Sequence, residues 1–584
     1  MSPAFGWLRS ARASDDVAML NPGHRERRGK RSGLENGGVP AECKLRANGI
    51  RGFTPTNSDK VHRQLKHVVL KCFHAISGLR INMRKSKIYG VGVDNGEVQN
   101  WARGVGCVGG LLPFIYLGLP VGASMHKKVE WKPIVEKVKS KLASWKAKVI
   151  SFGGRLTLVK SVLGSTPLYF LSLFRAPIGV IREIEKIRKN FFWGGVGGEV
   201  SKKPFAWVSW QKCLKLFHKG GINIGSLLDM NRALLAKWWW RFRVEGGSLW
   251  GSVIRNIYGS EGGLGVGESS FRGTWGSVWK NVVGVGKSLD ESGVNFTRSF
   301  RKLVGDGGDT RFWKDCWSGN NAFVLEFPRL YRLASDPNAS ILEQGEWVGE
   351  RWVWHWSWLR ELRGRTLGEF VELQRRLVGW EPVKDKSDSW GWEFDLDKGF
   401  SVPRLRHILA DVSTSGDGNG GTLWVPFLPK KVNVFRWRLK LGRIPTKEVL
   451  DNMGIDLDSL LCPRCGEEVE GVDHVFINCD AARDLWSRVG RWWKKSLVDI
   501  HSVSHLLQED DALLGSLKNK AWWVGVKWIF LYLIWDQRNK LVFDSISRDL
   551  ADCFFEWQRL AFEWISNRVK GLQLDWYEWL SGLA

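Results

Sequence analysis

The chain has 584 residues, room for three or four domains at about 150 residues each, any of which could bury its own core. Apolar residues make up 43% and aromatics 12%, against 66 Gly and 18 Pro, a balance that excludes wholesale disorder and collagen-like or low-complexity fibres. Lys and Arg total 87 against 60 Asp and Glu, a net charge of +27, the sign that suits a polyanion, whether nucleic acid or an anionic membrane surface.

Residues 1–60 show neither helical nor strand periodicity and read as an irregular basic segment. The run Arg25, Arg27, Arg28, Lys30 and Arg31 is first of all a solvated charged tail, with a nuclear-import signal or a phosphate contact as the alternatives. No continuous apolar core of a secretory signal opens the chain. The longest apolar stretch, from Ala521 to Trp535, covers 15 residues and contains Lys527, whereas a membrane span needs about 20. The expectation is an intracellular protein, nuclear or cytoplasmic, with no membrane partner. The nine Cys are too few and too unevenly spaced for a disulfide framework.

From Val129 onward Ile134, Val138, Leu142, Trp145 and Val149 recur at three and four, which predicts an amphipathic helix with Pro133 in its first turn. A second helix is predicted over Ile178 to Phe192. Between Lys127 and Lys160 ten basic residues face two acids, Glu130 and Glu136. The helix would therefore offer Lys132, Lys137, Lys139, Lys141, Lys146 and Lys148 to a nucleic-acid backbone, the plainer alternative being a merely solvated face.

Residues 246–308 hold 16 Gly and suggest loops around short elements. Trp352, Trp354, Trp356 and Trp358 stand at period two, so a strand would put all four on one face. That face is expected to be buried in a sheet or interface before it is expected to stack bases, and the same holds for Trp238, Trp239 and Trp240. After a linker at Gly416 to Gly421, six basic and no acidic residues lie between Lys430 and Arg443, adding Lys430, Lys431, Arg436 and Arg438 to the candidate nucleic-acid contacts. From His501 onward the pattern is of helices rich in Trp, Leu and Phe.

The strongest chemical signal is Cys462, Cys465, His474 and Cys479, a C-x2-C-x8-H-x4-C arrangement. Two Cys around a tight turn, with Pro463 and Gly466 to shape it, can aim both sulfurs at one centre, and the later His and Cys can complete a tetrahedron. Zn2+ suits that set, and four protein ligands make its role structural. A redox dithiol at Cys462 and Cys465 is the rival, and it leaves His474 and Cys479 unexplained. The glycines at Gly104, Gly106 and Gly109 mimic a nucleotide-binding string, but no clear strand precedes them and Pro113 follows, so they read as a decoy. Two Asp pairs, Asp15 with Asp16 and Asp510 with Asp511, have no visible carboxylate partner for a two-metal site.

Several ordered segments resemble the C-terminal half of plant LINE-type (non-LTR) retrotransposon reverse transcriptases. They are CFHAISGLRINMRKSKIYGVGV, LLPFIYLGLPVG, the stretch from Trp145 to Gly195, KPFAWVSWQKCLKLFHKGGINIGSLLDMNRALLAKWWWRF, VGDGGDTRFWKDCW, WVPFLPKKVNVFRWRLKLGRIPTKEVL with the Cys/His set, and WIFLYLIWDQRNKLVF. The resemblance covers 61–584 and places the decoy glycines in a stretch the family also uses.

It implies a mixed, mainly α, multi-domain chain: the end of a palm at 61–128, a thumb-like helical region at 129–245 and a Gly/Trp-rich connection region at 246–400. A reverse-transcriptase zinc-binding domain at 401–500 and a C-terminal helical region at 501–584 would follow. The family activity it implies is RNA-directed DNA polymerase, with RNA or DNA, as a template-primer duplex, the partner. The catalytic departure is specific. The window KLRANGIRGFTPTNSDK before ISGLRIN lacks the Asp pair that relatives carry there, and Asp15 and Asp16 in ASDDVAML stand farther upstream as a vestige of that turn. The earlier palm strand, the fingers and an endonuclease are also missing. The expectation is therefore a fragment that binds nucleic acid, holds a structural Zn2+ and does not catalyse alone, Mg2+ entering only if a polymerase site is completed. A non-enzymatic zinc-binding interaction module or a retrotransposon relic is the alternative.

Overall fold

Apolar residues recur at intervals of three and four through much of the chain, and helices follow them. The computed structural model describes residues 72, 74–79, 82–90, 93–143, 150–194, 205–264, 278–412, 424–494, 497, 500–506, 518–569 and 575–582. These form a mixed, mainly α chain with a few two-stranded sheets. It divides into two compact units, Met1–Ser124 with Ser248–Val253, and Met125–Gly247 with Ile254–Ala584.

In the first unit, β1 (Lys87–Tyr89) leads through α1 (Asn95–Val105) to β2 (Val108–Gly110), which pairs with it in parallel. Asp94 caps α1 by accepting the Gly96 N–H at 2.7 Å, and Gly106, at φ +78°, ends it. Gly104 and Gly106 thus sit at the close of a helix and Gly109 lies in the strand that follows. A phosphate cradle needs the opposite order, strand then glycines then helix N-terminus. β3 (Phe114–Tyr116) and β4 (Leu119–Val121) form a hairpin whose turn residues, Leu117 and Gly118, both take positive φ.

The second unit begins with α2 (Lys132–Ala143), which buries Ile134, Val138 and Leu142 as the stripe predicts; Trp145 and Val149 lie outside the described residues. The short α3 (Phe152–Leu158) follows, and then α4 (Ile178–Phe192), the second predicted helix, which packs on α2. The long α5 (Leu227–Val244) packs on α4 and on α6 (Val278–Glu291). Buried Asn231 ties α5 to the preceding chain: its amide accepts the Ala176 N–H at 3.0 Å and donates to Leu171 and Phe174 carbonyls at 2.7 and 2.9 Å. Trp238 and Trp239 are core residues, each with its indole N–H on a backbone carbonyl at 2.8 Å.

The connection region carries β5 (Phe300–Leu303), the hairpin β6 (Gly345–Val348) and β7 (Arg351–Trp354), then α7 (Arg365–Leu377) and β8 (Ser389–Trp392), which pairs antiparallel with β5. Trp352, Trp354, Trp356 and Trp358 pack on one core with Phe312, Phe323 and Leu373. The Trp356 and Trp358 rings stack at 6.1 Å and each meets Phe370 edge-on at 5.5 Å, so the half-buried ladder lies against this core. The loop of VGDGGDT is closed by Asp388, whose carboxylate accepts the N–H groups of Gly305 (2.6 Å), Gly307 (3.0 Å) and Asp309 (2.9 Å) and the Thr310 hydroxyl (2.6 Å).

Helix α8 (Val402–Val412) returns to α5. Then α9 (Lys430–Lys440), α10 (Asp480–Trp493), α11 (Lys518–Asp544), α12 (Phe554–Ser566) and α13 (Trp576–Ser581) build one aromatic core, including Phe435, Phe476, Trp486, Trp528, Phe530, Trp557 and Trp579. The apolar stretch around Trp528 is the centre of α11 and is buried against these helices. Among the described residues no helix is long and apolar enough to cross a membrane. Two contacts join α9 to the preceding part of the unit. Trp437 donates its indole N–H to the Gly220 carbonyl at 2.8 Å, and α3 approaches so closely at Gly153 that a Cβ there would stand 2.8 Å from the Lys431 nitrogen.

Candidate metal centre

The loop that holds the first two cysteines is a pinched hairpin. Leu461 and Val469 bridge, the Cys462 N–H meets the Glu468 carbonyl at 2.7 Å, and the Gly466 N–H closes the turn on the Cys462 carbonyl at 2.9 Å. Gly466 is at φ +75°, the left-handed conformation that this reversal needs and that a Cβ would strain. His474 opens a single wide turn, His474–Asn478, closed by the Cys479 N–H on the His474 carbonyl at 2.8 Å; Cys479 then caps α10. The result brings one ligand atom from each of Cys462, Cys465, His474 and Cys479 within 4.8 Å of the others. Cys462, His474 and Cys479 are buried and Cys465 is half-buried.

The donors are oriented as a metal site requires. His474 Nδ1 lies 2.9 Å from Glu468 Oε2 and its Nε2 lies 3.4 Å from Cys465 Sγ. With Nδ1–H donated to the carboxylate, the Nε2 lone pair faces the sulfurs, the carboxylate–imidazole arrangement that fixes tautomer and raises ligand basicity. The Cys462 thiol is drawn well below its ordinary value, above all by a hydrogen bond from Cys479 and, against the effect of burial, by the backbone N–H groups of Cys465 and Arg464. Cys479 is pushed far up by that same bond and by burial. Three sulfurs and one imidazole at this spacing fit zinc in a closed, structural shell.

The loop is anchored from below. Glu470 is fully buried, its two oxygens face the Arg538 guanidinium of α11, with Nη2 to Oε2 at 2.6 Å, and Oε2 also accepts the Lys447 N–H at 3.1 Å. Neither Glu468 nor Glu470 was visible as a functional residue in the sequence, where both sit in a run of ordinary surface-type acids.

The other candidate residues are dispersed. Lys132, Lys137 and Lys141 are exposed on α2, flanking its buried stripe. Lys139 is exposed but engaged, 3.0 Å from Glu136 and 3.7 Å from Glu183, and its pKa is raised, first by the Glu136 hydrogen bond. Lys146 and Lys148 lie outside the described residues, as do Asp15 and Asp16. On α9, Lys430 is exposed and donates to Thr157 Oγ1 at 3.1 Å, while Lys431 sits half-buried 4.5 Å over Trp564 with its pKa lowered by burial. Arg436 lies wholly inside, 5.0 Å over Trp528, and buried Arg438 donates to the Arg443 carbonyl at 2.9 and 3.2 Å.

Residues 411–486, an interval containing all four cluster residues, match the family described as zinc-binding in reverse transcriptase. The chain is 28% identical over 381 residues, 64% of its own length and 57% of the relative's, to an Arabidopsis thaliana protein named "Putative ribonuclease H protein". It is also 26% identical over 152 residues, 26% of its length and 91% of the relative's, to an uncharacterized mitochondrial protein of the same plant. The first of these matches thus spans little more than half of the relative. These likenesses make the chain reverse-transcriptase-related, and the Cys/His cluster inside the matched interval fits a structural zinc.

Proposed function

We propose that residues 61–584 serve as the palm-end, thumb, connection and zinc-binding regions of a LINE-type RNA-directed DNA polymerase, where they hold nucleic acid and do not themselves catalyse transfer. The observation that carries this reading is the coincidence of the 411–486 family match with a buried, oriented set of three Cys and one His. The +27 charge and the exposed lysines of α2 supply the electrostatic term for a phosphate backbone, which dominates sequence-independent binding. In this reading zinc, held by Cys462, Cys465, His474 and Cys479, contributes folding energy to the loop between α9 and α10. The carboxylates of nucleotidyl transfer would come from a palm outside the segments that resemble the family, and Mg2+ would enter only with them.

The test is binding of an RNA–DNA hybrid by the purified chain across a salt series, with primer extension in Mg2+ or Mn2+ run in parallel. Salt-dependent binding without extension is expected. Extension abolished by Asp15→Asn with Asp16→Asn would overturn the non-catalytic part, and failure to bind at low salt would overturn the rest.

A further inference from the structure

Arg155 of α3 and Arg438 of α9 are side by side in the seam that Gly153 closes, and both are more than nine-tenths buried, at 8% and 7% exposure. Their guanidiniums flank one ring: Arg155 lies 4.2 Å and Arg438 5.3 Å from the centre of Phe152, and Arg438 is also 5.0 Å from Trp207. Arg438 places two N–H groups on the Arg443 carbonyl. Arg155 has no hydrogen bond or ion pair with any described residue, and its Nε is wholly buried without a partner. Its Nη1 rests against Gly194, where a Cβ would stand 2.4 Å away, so the backbone is cut back to admit it.

Two adjacent buried cations without a carboxylate from the described residues are an expensive arrangement, because each loses hydration and each repels the other. Contact with the Phe152 face offsets only part of that cost. Burial draws both guanidiniums down to about 10, and the charge of Arg155 adds to the effect on Arg438, yet both remain protonated at neutral pH. Lys160 and Lys430, from the turn after α3 and the start of α9, add further positive potential.

We propose that Arg155 and Arg438 form an oxyanion site that takes a phosphodiester of a nucleic-acid backbone, with Phe152 and Trp207 as the aromatic wall beside it. Guanidinium forks match phosphate oxygens, and a phosphodiester offers two unesterified oxygens, one for each arginine. Phe152 and Trp207 are half-buried and Phe205, in edge contact with Trp207 at 4.7 Å, is 50% exposed, so the wall opens to solvent where a neighbouring base could stack. The identity of the anion as nucleic acid rests on the proposed function; the existence of the site does not.

The experiment uses the full chain and three variants, Arg155→Met, Arg438→Met and Arg155→Lys. Tm is measured with and without inorganic phosphate, and binding of a labelled RNA strand and an RNA–DNA hybrid is followed across salt. Because Arg155→Met removes a buried charge that no described carboxylate compensates, it is expected to raise the Tm of the phosphate-free chain and to abolish the upshift that phosphate gives. The same variant should lower the slope of log affinity against log salt by about one unit. Arg155→Lys should recover the slope but not the full affinity, since it keeps the charge and loses the fork. A lower Tm in Arg155→Met with the phosphate upshift and salt slope intact would make the guanidinium structural and overturn the site. Wild-type oligonucleotide binding in both Met variants would also reject the site while sparing the proposed function. An Arg155-dependent phosphate upshift in a chain that binds no oligonucleotide would keep the site and reject the nucleic-acid reading. A polyglutamate peptide that binds as tightly as RNA would replace phosphodiester by carboxylate and overturn the assignment.

Discussion

Glu470 and Arg538 meet side-on beneath the metal loop, 2.6 Å apart at Oε2 and Nη2, with the Glu470 side chain fully out of water and that of Arg538 nearly so. The pair fastens the loop of Cys462 and Cys465 to α11, so metal binding and packing of the C-terminal helices share one support. Removing one partner leaves a buried charge alone, whereas removing both does not. Glu470→Gln or Arg538→Met alone is therefore expected to cost about 3–5 kcal/mol, and the double variant less than the sum. A double-mutant cycle by urea denaturation checks this; additive losses would show that the two residues act independently.

Zinc should bind once per chain, and its removal should loosen more than the local loop. Cys462 and Cys479 belong to the core shared with Trp528, Phe530 and Trp557, so chelation is expected to raise hydrogen exchange in α10 and α11 while sparing α2 and α4. Cys465→Ser with Cys479→Ser should abolish stoichiometric zinc. Glu468→Ala, which frees the His474 ring but leaves the four ligands, should weaken zinc about 10–100-fold in a competitive chelator titration. Unchanged zinc content in the double Ser variant would refute the ligand assignment.

The cysteine spacing and the α2 stripe were legible because each follows from local geometry, two ligands around a turn and apolar residues at three and four. Arg538 was not, since it stands 68 residues from Glu470 and no local pattern links an arginine in an apolar helix to an acid in a polar loop. The middle of α11, from Ala521 to Trp535, is apolar on every side apart from Lys527, so its sequence shows composition without a face. Charge counting over Lys430 to Arg443 likewise cannot tell which cations turn inward: Arg436 and Arg438 are buried over aromatic rings, while Lys430 is at the surface.

Asp388 should give the connection region an acid-sensitive stability. Burial would raise its pKa, but the Thr310 hydroxyl and the N–H groups of Gly305, Gly307 and Asp309 outweigh it and hold the carboxyl below its ordinary value. With the folded pKa below the unfolded one, the stabilisation is complete above the unfolded value, about 3.9, and is lost as pH falls through the folded one. Asp388→Asn keeps the shape and removes the charge, so it should cost about 1–3 kcal/mol at neutral pH and progressively less below about pH 4. Stability curves of the two proteins that stay parallel through that range would contradict the assignment.

The lysine face of α2 makes the last prediction, and the structure decides which lysines to change. Lys139 is held by Glu136 and Glu183, so a phosphate would have to displace two carboxylates to reach it, and its loss should matter little. Lys132, Lys137 and Lys141 are exposed, flanking the buried stripe of Ile134, Val138 and Leu142, and no ion pair engages them among the described residues. Each phosphate neutralised releases condensed counterions, so replacing these three by Gln should flatten the slope of log affinity against log salt by up to about three units, with binding to RNA and DNA weakened alike. Lys139→Gln alone should change the slope by clearly less than one. Because the substitutions leave the buried stripe untouched, circular dichroism should be unaltered. An unchanged slope in the triple variant would move the phosphate contacts away from α2, and a large effect of Lys139→Gln would mean that the Glu136 and Glu183 pairs open on binding.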